Sequence, residues 1–312
     1  SAGIQSVMLT GDGRETASSI ATECGILRRG GLVLTSEELS RMTDDEVKSA
    51  LPRLRVLARA LPKDKTRLVR LAQEMDLVVG MTGDGVNDAP SLKLADVGFA
   101  MGSGTDIAKA AGDVVILDNS FSAISKSILY GRTIFKSIRK FITFQLIMNF
   151  AACGISLIGQ FLGIENPITI IQMLWVNIIM DTLGGLAFAG EAPMRYYMKE
   201  KPKRRDEKIL TGVMLGQIIL SGAYVLLLCT LFLILPTFAG RYRGEAEHLT
   251  AFYALFIFAG IFRCFSSRSE RLWLFSGIDK NRPFTLIMLL ISAVQIAMIY
   301  FGGDMFRCVP LT

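Results

Sequence analysis

Met81-Thr82-Gly83-Asp84-Gly85-Val86-Asn87-Asp88-Ala89-Pro90 follows the apolar run Leu77-Val78-Val79-Gly80 and reads as the junction between a buried strand and a helix. Asp84 and Asp88 stand four residues apart in it. The glycines allow a tight turn close to a bound group. Hard carboxylate oxygens at such a turn suit Mg²⁺, which takes one or two carboxylates and completes its shell with phosphate and water. Asn87 is placed to donate to a phosphoryl oxygen. Upstream, Lys65 in Pro62-Lys63-Asp64-Lys65 supplies positive charge against phosphoryl charge as it develops. Thr10-Gly11-Asp12 closes an earlier apolar run, Ser6-Val7-Met8-Leu9, and offers a hydroxyl and backbone N–H groups to the same pocket. A single Gly-Asp pair is an ordinary turn. Two strand-Thr-Gly-Asp units in one segment, the second extended to Gly-Asp-Gly-Val-Asn-Asp-Ala-Pro, predict a phosphoryl site.

Residues 1–140 alternate short apolar runs with charged stretches of helical spacing. Strands are predicted over Ser6–Thr10, Leu77–Thr82, Val97–Met101 and Val114–Leu117, and a helix over Asp64–Met75. Alternation of this kind predicts a doubly wound parallel sheet with its ligand site at the strand C-termini.

Residues 141–312 have a different chemistry. Phe141–Ile164 carries no charge, Ile209–Gly240 is uncharged for 32 residues, and Pro283–Gly303 for 21. A bilayer core needs about 20 helical residues. Five spans are therefore predicted, near 141–164, 166–190, 209–236, 249–267 and 283–303. Basic residues alternate between their loops. Glu191–Gly212 holds Arg195, Lys199, Lys201, Lys203, Arg204, Arg205 and Lys208, whereas the turn after the first span holds none. That alternation places the basic loops, and the α/β half with them, in the cytoplasm. Ser120–Lys140 reads as a stalk into the first span.

The composition agrees. The chain has 312 residues and is 51% hydrophobic, with a mean hydropathy of +0.43, too apolar for a disordered protein. Five unpaired-looking Cys and one His argue against a disulfide scaffold or a zinc site. The net charge of +6 is accounted for by the membrane loops, so no nucleic-acid partner is expected; the lipid bilayer is. Within the spans, Asn177 and Asp181 are four apart and share one helix face. An Asp in a span is a functional-site candidate by default, and two oxygen ligands on one face suit a hard cation.

MLTGDGRETA (8–17), LPKDK (61–65), MTGDGVNDAPSLKLADVGFAMGSGTDIAKAAGDVVIL (81–117) and LWVNIIMDTL (174–183) resemble P-type cation-transporting ATPases, and among them the calcium pumps of the plasma-membrane type. The resemblance covers essentially the whole chain. It implies a haloacid dehalogenase-like, Rossmann-like α/β phosphorylation domain in part, followed by an all-α polytopic membrane domain. It implies ATP and Mg²⁺ as cofactors and Ca²⁺ as the transported ion. Asp84 would ligate Mg²⁺, Asp88 would support its shell, Asn87 and Lys65 would contact the phosphoryl group, and Thr10, Gly11 and Asp12 would bind its phosphate side. Asn177 and Asp181 would hold Ca²⁺. Asn149 aligns with a ligand position of the family, as a ligand or as an interhelical hydrogen bond.

The family's phosphorylated DKTGT motif does not occur in the sequence. By resemblance the chain starts midway through the phosphorylation domain, its spans are the family's fifth to ninth, and its partner is the N-terminal portion of the same pump; alone it is expected to be inactive. Ala152 and Gly260 stand where two-calcium pumps carry Glu, which points to one Ca²⁺ per cycle. A pump for Mn²⁺ or Na⁺/K⁺ and a non-catalytic membrane partner protein are the competing readings. The short loops, including Lys199–Leu210 without inserts, favour a bacterial cell membrane.

Overall fold

The computed structural model describes residues 2–164, 166–268 and 281–311, apart from the side chains of Met180 and Asp181. Two compact units emerge: Ser1–Tyr130 with Arg195–Glu207, and Gly131–Met194 with Lys208–Thr312.

The first unit is α/β. Strands β1 (Met8–Leu9), β2 (Leu32–Thr35) and β3 (Leu54–Ala58) form a parallel sheet in the order β1-β3-β2; β4 (Gly80–Gly83), β5 (Val97–Met101) and β6 (Val114–Ile116) form a second in the order β4-β5-β6. Around them lie α1 (Arg14–Glu23), α2 (Ser36–Arg41), α3 (Asp44–Ala50), α4 (Pro62–Glu74), α5 (Ala89–Leu94) and α6 (Asp106–Ala111). One face of the first sheet buries Leu54 and Leu57 with Leu39, Leu68 and Leu71 of α2 and α4. The other receives Ala17 and Ala21 of α1 against Val56 and Ala58. Burial on both faces explains why β3 reads as a nearly continuous apolar run instead of an alternation.

The expected single sheet is thus two parallel three-stranded sheets. Leu9 and Val79 pack on the same cluster of Val69, Met81, Leu92 and Ala108, so side chains take the place of backbone pairing between β1 and β4. The predicted strand over 77–82 starts only at Gly80. Asp76 has φ 58°, the chain turns there, and Leu77 and Val78 are left half-exposed. Strands β2 and β3 were not anticipated.

Local chemistry fixes the helices. Thr35 and Thr43 each cap a helix and receive reciprocal bonds from Glu38 and Glu46. Asp44 accepts from Arg67 Nε at 2.9 Å and Arg70 Nη2 at 3.1 Å. These bonds, Arg67 first, hold its carboxyl below the ordinary range. A folded-state value below the unfolded one contributes stability above the unfolded value, about 3.9, and loses it as pH falls through the folded one. Exchange protection of the α3 and α4 amides, corrected for intrinsic rates, is expected to drop below about pH 4 and to drop less in Asp44→Asn. Identical profiles would remove Asp44 from this role.

The second unit is helical. Among the described residues five helices are long and apolar enough to cross a membrane: α7 (Phe121–Phe161), α8 (Ile170–Ala189), α9 (Gly212–Ile234), α11 (Glu245–Arg268) and α12 (Arg282–Phe301). A short α10 (Pro236–Ala239) follows α9. At 41 residues, α7 is about 60 Å long, twice a bilayer core, and joins the predicted stalk and first span in one helix. The core gathers Phe144, Phe188, Phe252, Tyr253, Phe256 and Phe284, with Phe188 edge-on to Phe284 at 6.0 Å. A Cβ on Gly222 would lie 2.5 Å from the Phe150 ring, so α9 approaches α7 closely because that residue has no side chain.

Opposite charges meet in the interior of this unit. Arg268 Nε meets Glu191 Oε1 at 3.0 Å, with side-chain exposures of 5% and 11%. Asn281 donates to the same carboxylate at 3.3 Å and caps α12 by accepting from Phe284 N. The Arg268 guanidinium stands over the Phe284 ring at 5.2 Å.

Candidate functional sites

Strand β4 delivers the Gly83–Asp88 loop. A single turn, Val86–Asp88, leads into α5, where Pro90 fits the first helical turn. Within the turn the Asp88 side chain folds back. One carboxylate oxygen accepts from Asp84 N and Gly85 N, both at 3.3 Å; the other receives Lys65 Nζ at 2.6 Å. Asp88 is buried. Gly83 is obligatory here, because a Cβ on it would sit 2.4 Å from the Asp88 Cβ.

The backbone of Asp84 is pinned as well. Its carbonyl accepts from Thr105 N at 2.8 Å. Its carboxylate makes no hydrogen bond among the described residues, and Asp84 and Asn87 are exposed. The arrangement is a fixed main chain carrying one open carboxylate and one open amide, next to a lysine whose charge is already paired. No cluster of three His, Cys, Asp or Glu occurs among the described residues. A cation at Asp84 would therefore rely on water and phosphate for most of its shell, which is the habit of Mg²⁺.

Lys65 is positioned by α4. Pro62 starts that helix, and Asp64 fastens it by accepting from Leu61 N at 2.9 Å and from Ser36 Oγ at 2.6 Å. Ser36 and Asp64 are supporting residues that sequence reading missed, being 28 apart in the chain.

The Thr10–Asp12 loop leaves β1. Thr10 Oγ1 donates to Asp12 Oδ2 at 2.8 Å, and Asp12 N donates to Thr10 Oγ1 at 3.2 Å. Arg59 N and Ala60 N close on the Asp12 and Thr10 carbonyls at 2.9 and 2.8 Å. Gly11 and Asp12 are exposed. Both Thr-Gly-Asp loops sit at the C-terminal ends of parallel strands, where α/β sheets take ligands. Among the described residues no hydrogen bond joins them.

In the helical unit, Asn149 of α7 and Asn177 of α8 line one hollow, with Ala152 beside them and Phe256 of α11 behind. Gln145 lines it too. Sequence reading passed over Gln145, although its spacing of four from Asn149 was a usable signal. Asp181 lies on α8 one turn beyond Asn177, and its side chain is outside the described residues.

The chain matches two family models: cation transporting ATPase, C-terminus, over residues 165–312, and haloacid dehalogenase-like hydrolase over residues 70–128. It is 38% identical over its whole length to a probable plasma membrane-type calcium-transporting ATPase of Oryza sativa subsp. japonica, 31% of which it spans. It is equally similar to plasma membrane calcium-transporting ATPase 3 of Homo sapiens, spanning 28% of that protein. Plasma membrane calcium-transporting ATPase 2 of Oreochromis mossambicus is 38% identical over 99% of the chain and is spanned for 30%. The chain thus spans less than a third of these relatives' length. They come from a plant, a mammal and a fish and give no support to a bacterial membrane. The five helices make this a multi-pass membrane protein. With both halves matched, the chain is similar over its whole length to P-type cation-transporting ATPases of the plasma-membrane calcium type, and residues 165–312 match the C-terminal model of that family.

Proposed function

We propose that this chain supplies the Mg²⁺ side of the phosphoryl-transfer site, and part of the cation path, of an ATP-driven calcium-transporting ATPase. The observation that carries the reading is the Asp84 carboxylate, held open at the end of β4 by a fixed main chain beside the Lys65–Asp88 pair. The names of the relatives support calcium and a plasma membrane.

In this reading Asp84 ligates Mg²⁺, which when bound offsets the negative charge of the transferring phosphoryl group. Asp88 holds the loop to Lys65, so the two act as one positioning unit. Asn87 donates its amide to a phosphoryl oxygen, and Thr10, Gly11 and Asp12 present a hydroxyl and main-chain N–H groups to the same group. The nucleophile and the ATP-binding portion come from the part of the relatives' length that this chain does not span. Asn177, Asp181 and Asn149 bind the cation, one Ca²⁺ per cycle, because Ala152 and Gly260 offer no side-chain oxygen.

The test is acid-stable phosphorylation of the full-length pump from labelled ATP, titrated with Ca²⁺ and, in parallel, with Mn²⁺, Na⁺ and K⁺. Phosphorylation rising with micromolar Ca²⁺ is expected. A response to another cation in place of Ca²⁺ would keep the family and replace the ion.

A further inference from the structure

Polar side chains inside the helical unit mostly satisfy themselves. Thr143, Ser156, Thr250 and Ser292 each donate to the carbonyl one turn back, at 2.8–3.0 Å. Gln172 is buried, yet its amide reaches Phe306 O at 2.7 Å and closes a capping box with Thr169. That is the expected economy, since an unpaired amide in an apolar medium costs several kcal/mol.

Ser267 Oγ and Thr285 Oγ1 are exceptions, and three carboxamides stand apart by their place. Gln145 and Asn177, half-buried, and Asn149, exposed, make no hydrogen bond among the described residues, and all three line the same hollow. On α7 the lining positions 145, 149 and 152 are spaced by four and three, so one helix face is turned to the cavity. Position 152 is Ala, and Gln145 and Asn149 are therefore the oxygens this face can offer. Another unpaired amide, Gln295 Nε2, lines a separate hollow with Trp175, Ile179 and Ile257, which provide no second oxygen.

We propose that Gln145 is a ligand of the transported cation: its side-chain oxygen joins those of Asn149 and Asn177 in a neutral carboxamide set that selects a divalent cation of Ca²⁺ size. The inference rests on the function proposed above and extends its ligand set by one residue. Amide oxygens are hard and carry no net charge, so they favour a cation by number and reach, not by attraction. Ca²⁺ takes six to eight oxygens at about 2.3–2.6 Å, whereas smaller cations complete a shell with fewer. Removing one neutral oxygen should therefore weaken Ca²⁺ more than Mn²⁺. A side chain that merely fills space would not change the order of cations.

The experiment uses the full-length pump and follows the cation concentration for half-maximal phosphorylation. In Gln145→Leu the Ca²⁺ midpoint is expected to rise about tenfold with the plateau kept, and the Mn²⁺ midpoint to rise less. Gln145→Glu, of equal length and with its oxygen kept, is expected to return the Ca²⁺ midpoint to within about threefold of the parent. If Gln145→Leu stays within twofold of the parent for both cations while Asn177→Ala shifts Ca²⁺, the Gln145 assignment is overturned and the pump reading stands. If the parent ignores Ca²⁺ altogether, the calcium reading fails and takes this inference with it. Should Gln145→Leu fail to accumulate, Gln145→Asn decides by the same criterion, since it keeps the amide and withdraws its oxygen by one methylene.

Discussion

Replacing Asp88 with Ala in the full-length pump is expected to reduce phosphorylation from ATP by at least a hundredfold and to loosen the first unit. Asp88 is buried and all its bonds are internal: Lys65 at 2.6 Å, and Asp84 N and Gly85 N at 3.3 Å. Removing the carboxylate leaves the Lys65 ammonium, only 18% exposed, without its counter-charge. Breaking one side of such a pair costs about 3–5 kcal/mol when it is buried, and toward the lower end here because Lys65 keeps some solvent. Two loop N–H groups also lose their acceptor. The loop that fixes Asp84 then opens, and a metal ligand displaced by an ångström is lost to catalysis. Asp88→Asn separates the effects, keeping shape and an acceptor while dropping the charge. It is expected to retain the fold by thermal unfolding, within about 1–2 kcal/mol, yet phosphorylate tenfold or more below the parent. The contrast with Asp84→Asn is informative. Asp84 is exposed and makes no side-chain hydrogen bond among the described residues, so that variant should unfold like the parent and lose phosphorylation almost completely. Equal unfolding of Asp84→Ala and Asp88→Ala would contradict the division of labour between an open ligand and a buried anchor.

That division was only half legible in the sequence. The Gly-Asp-Gly-Val-Asn-Asp-Ala-Pro string announced a phosphate site, but both carboxylates looked like metal ligands. Which one faces outward depends on Lys65, 23 residues away, and on the missing side chain at Gly83. Strand β5 was predicted at its observed bounds because Val97–Met101 lies between clear turn signals. Strands β2 and β3 were missed because Leu32–Thr35 runs straight into the cap of α2 at Thr35 with no turn signal between them and Arg55 interrupts the apolar run of β3.

The five spans were the easiest reading, since a bilayer demands about 20 apolar residues whatever the tertiary contacts. Their ends were harder. The fourth helix starts at Glu245, ahead of the apolar run, because Glu247 is taken up by a bond from Arg243 N. The second starts at Ile170, where Thr169 and Gln172 form a capping box. Gln145 was overlooked for another reason: its spacing of four from Asn149 was a signal, but a polar residue one turn from the end of a span looks like an interfacial anchor until the hollow beside it is seen.

The charge of the cation site is expected to come from Asp181, and Asp181→Asn should abolish micromolar Ca²⁺ dependence. The residues that line the described hollow are neutral: Gln145, Asn149 and Asn177 contribute amides, and Ala152 contributes nothing. A divalent cation moved from water into an apolar span needs at least one formal counter-charge to be held. Asp181 is the one acidic residue in α8, four residues from Asn177 on the same helix face. Neutralising it should raise the Ca²⁺ concentration for half-maximal phosphorylation by a hundredfold or more and stop Ca²⁺ uptake into vesicles. Asn177→Ala, which removes a dipole and not a charge, should raise it only about tenfold. The ordering matters more than either value. If Asp181→Asn leaves the midpoint and the uptake unchanged, the cation is neutralised elsewhere, and the hollow between α7 and α8 is not its site. If the two variants weaken Ca²⁺ equally, the carboxylate acts as one more dipole and the charge argument fails.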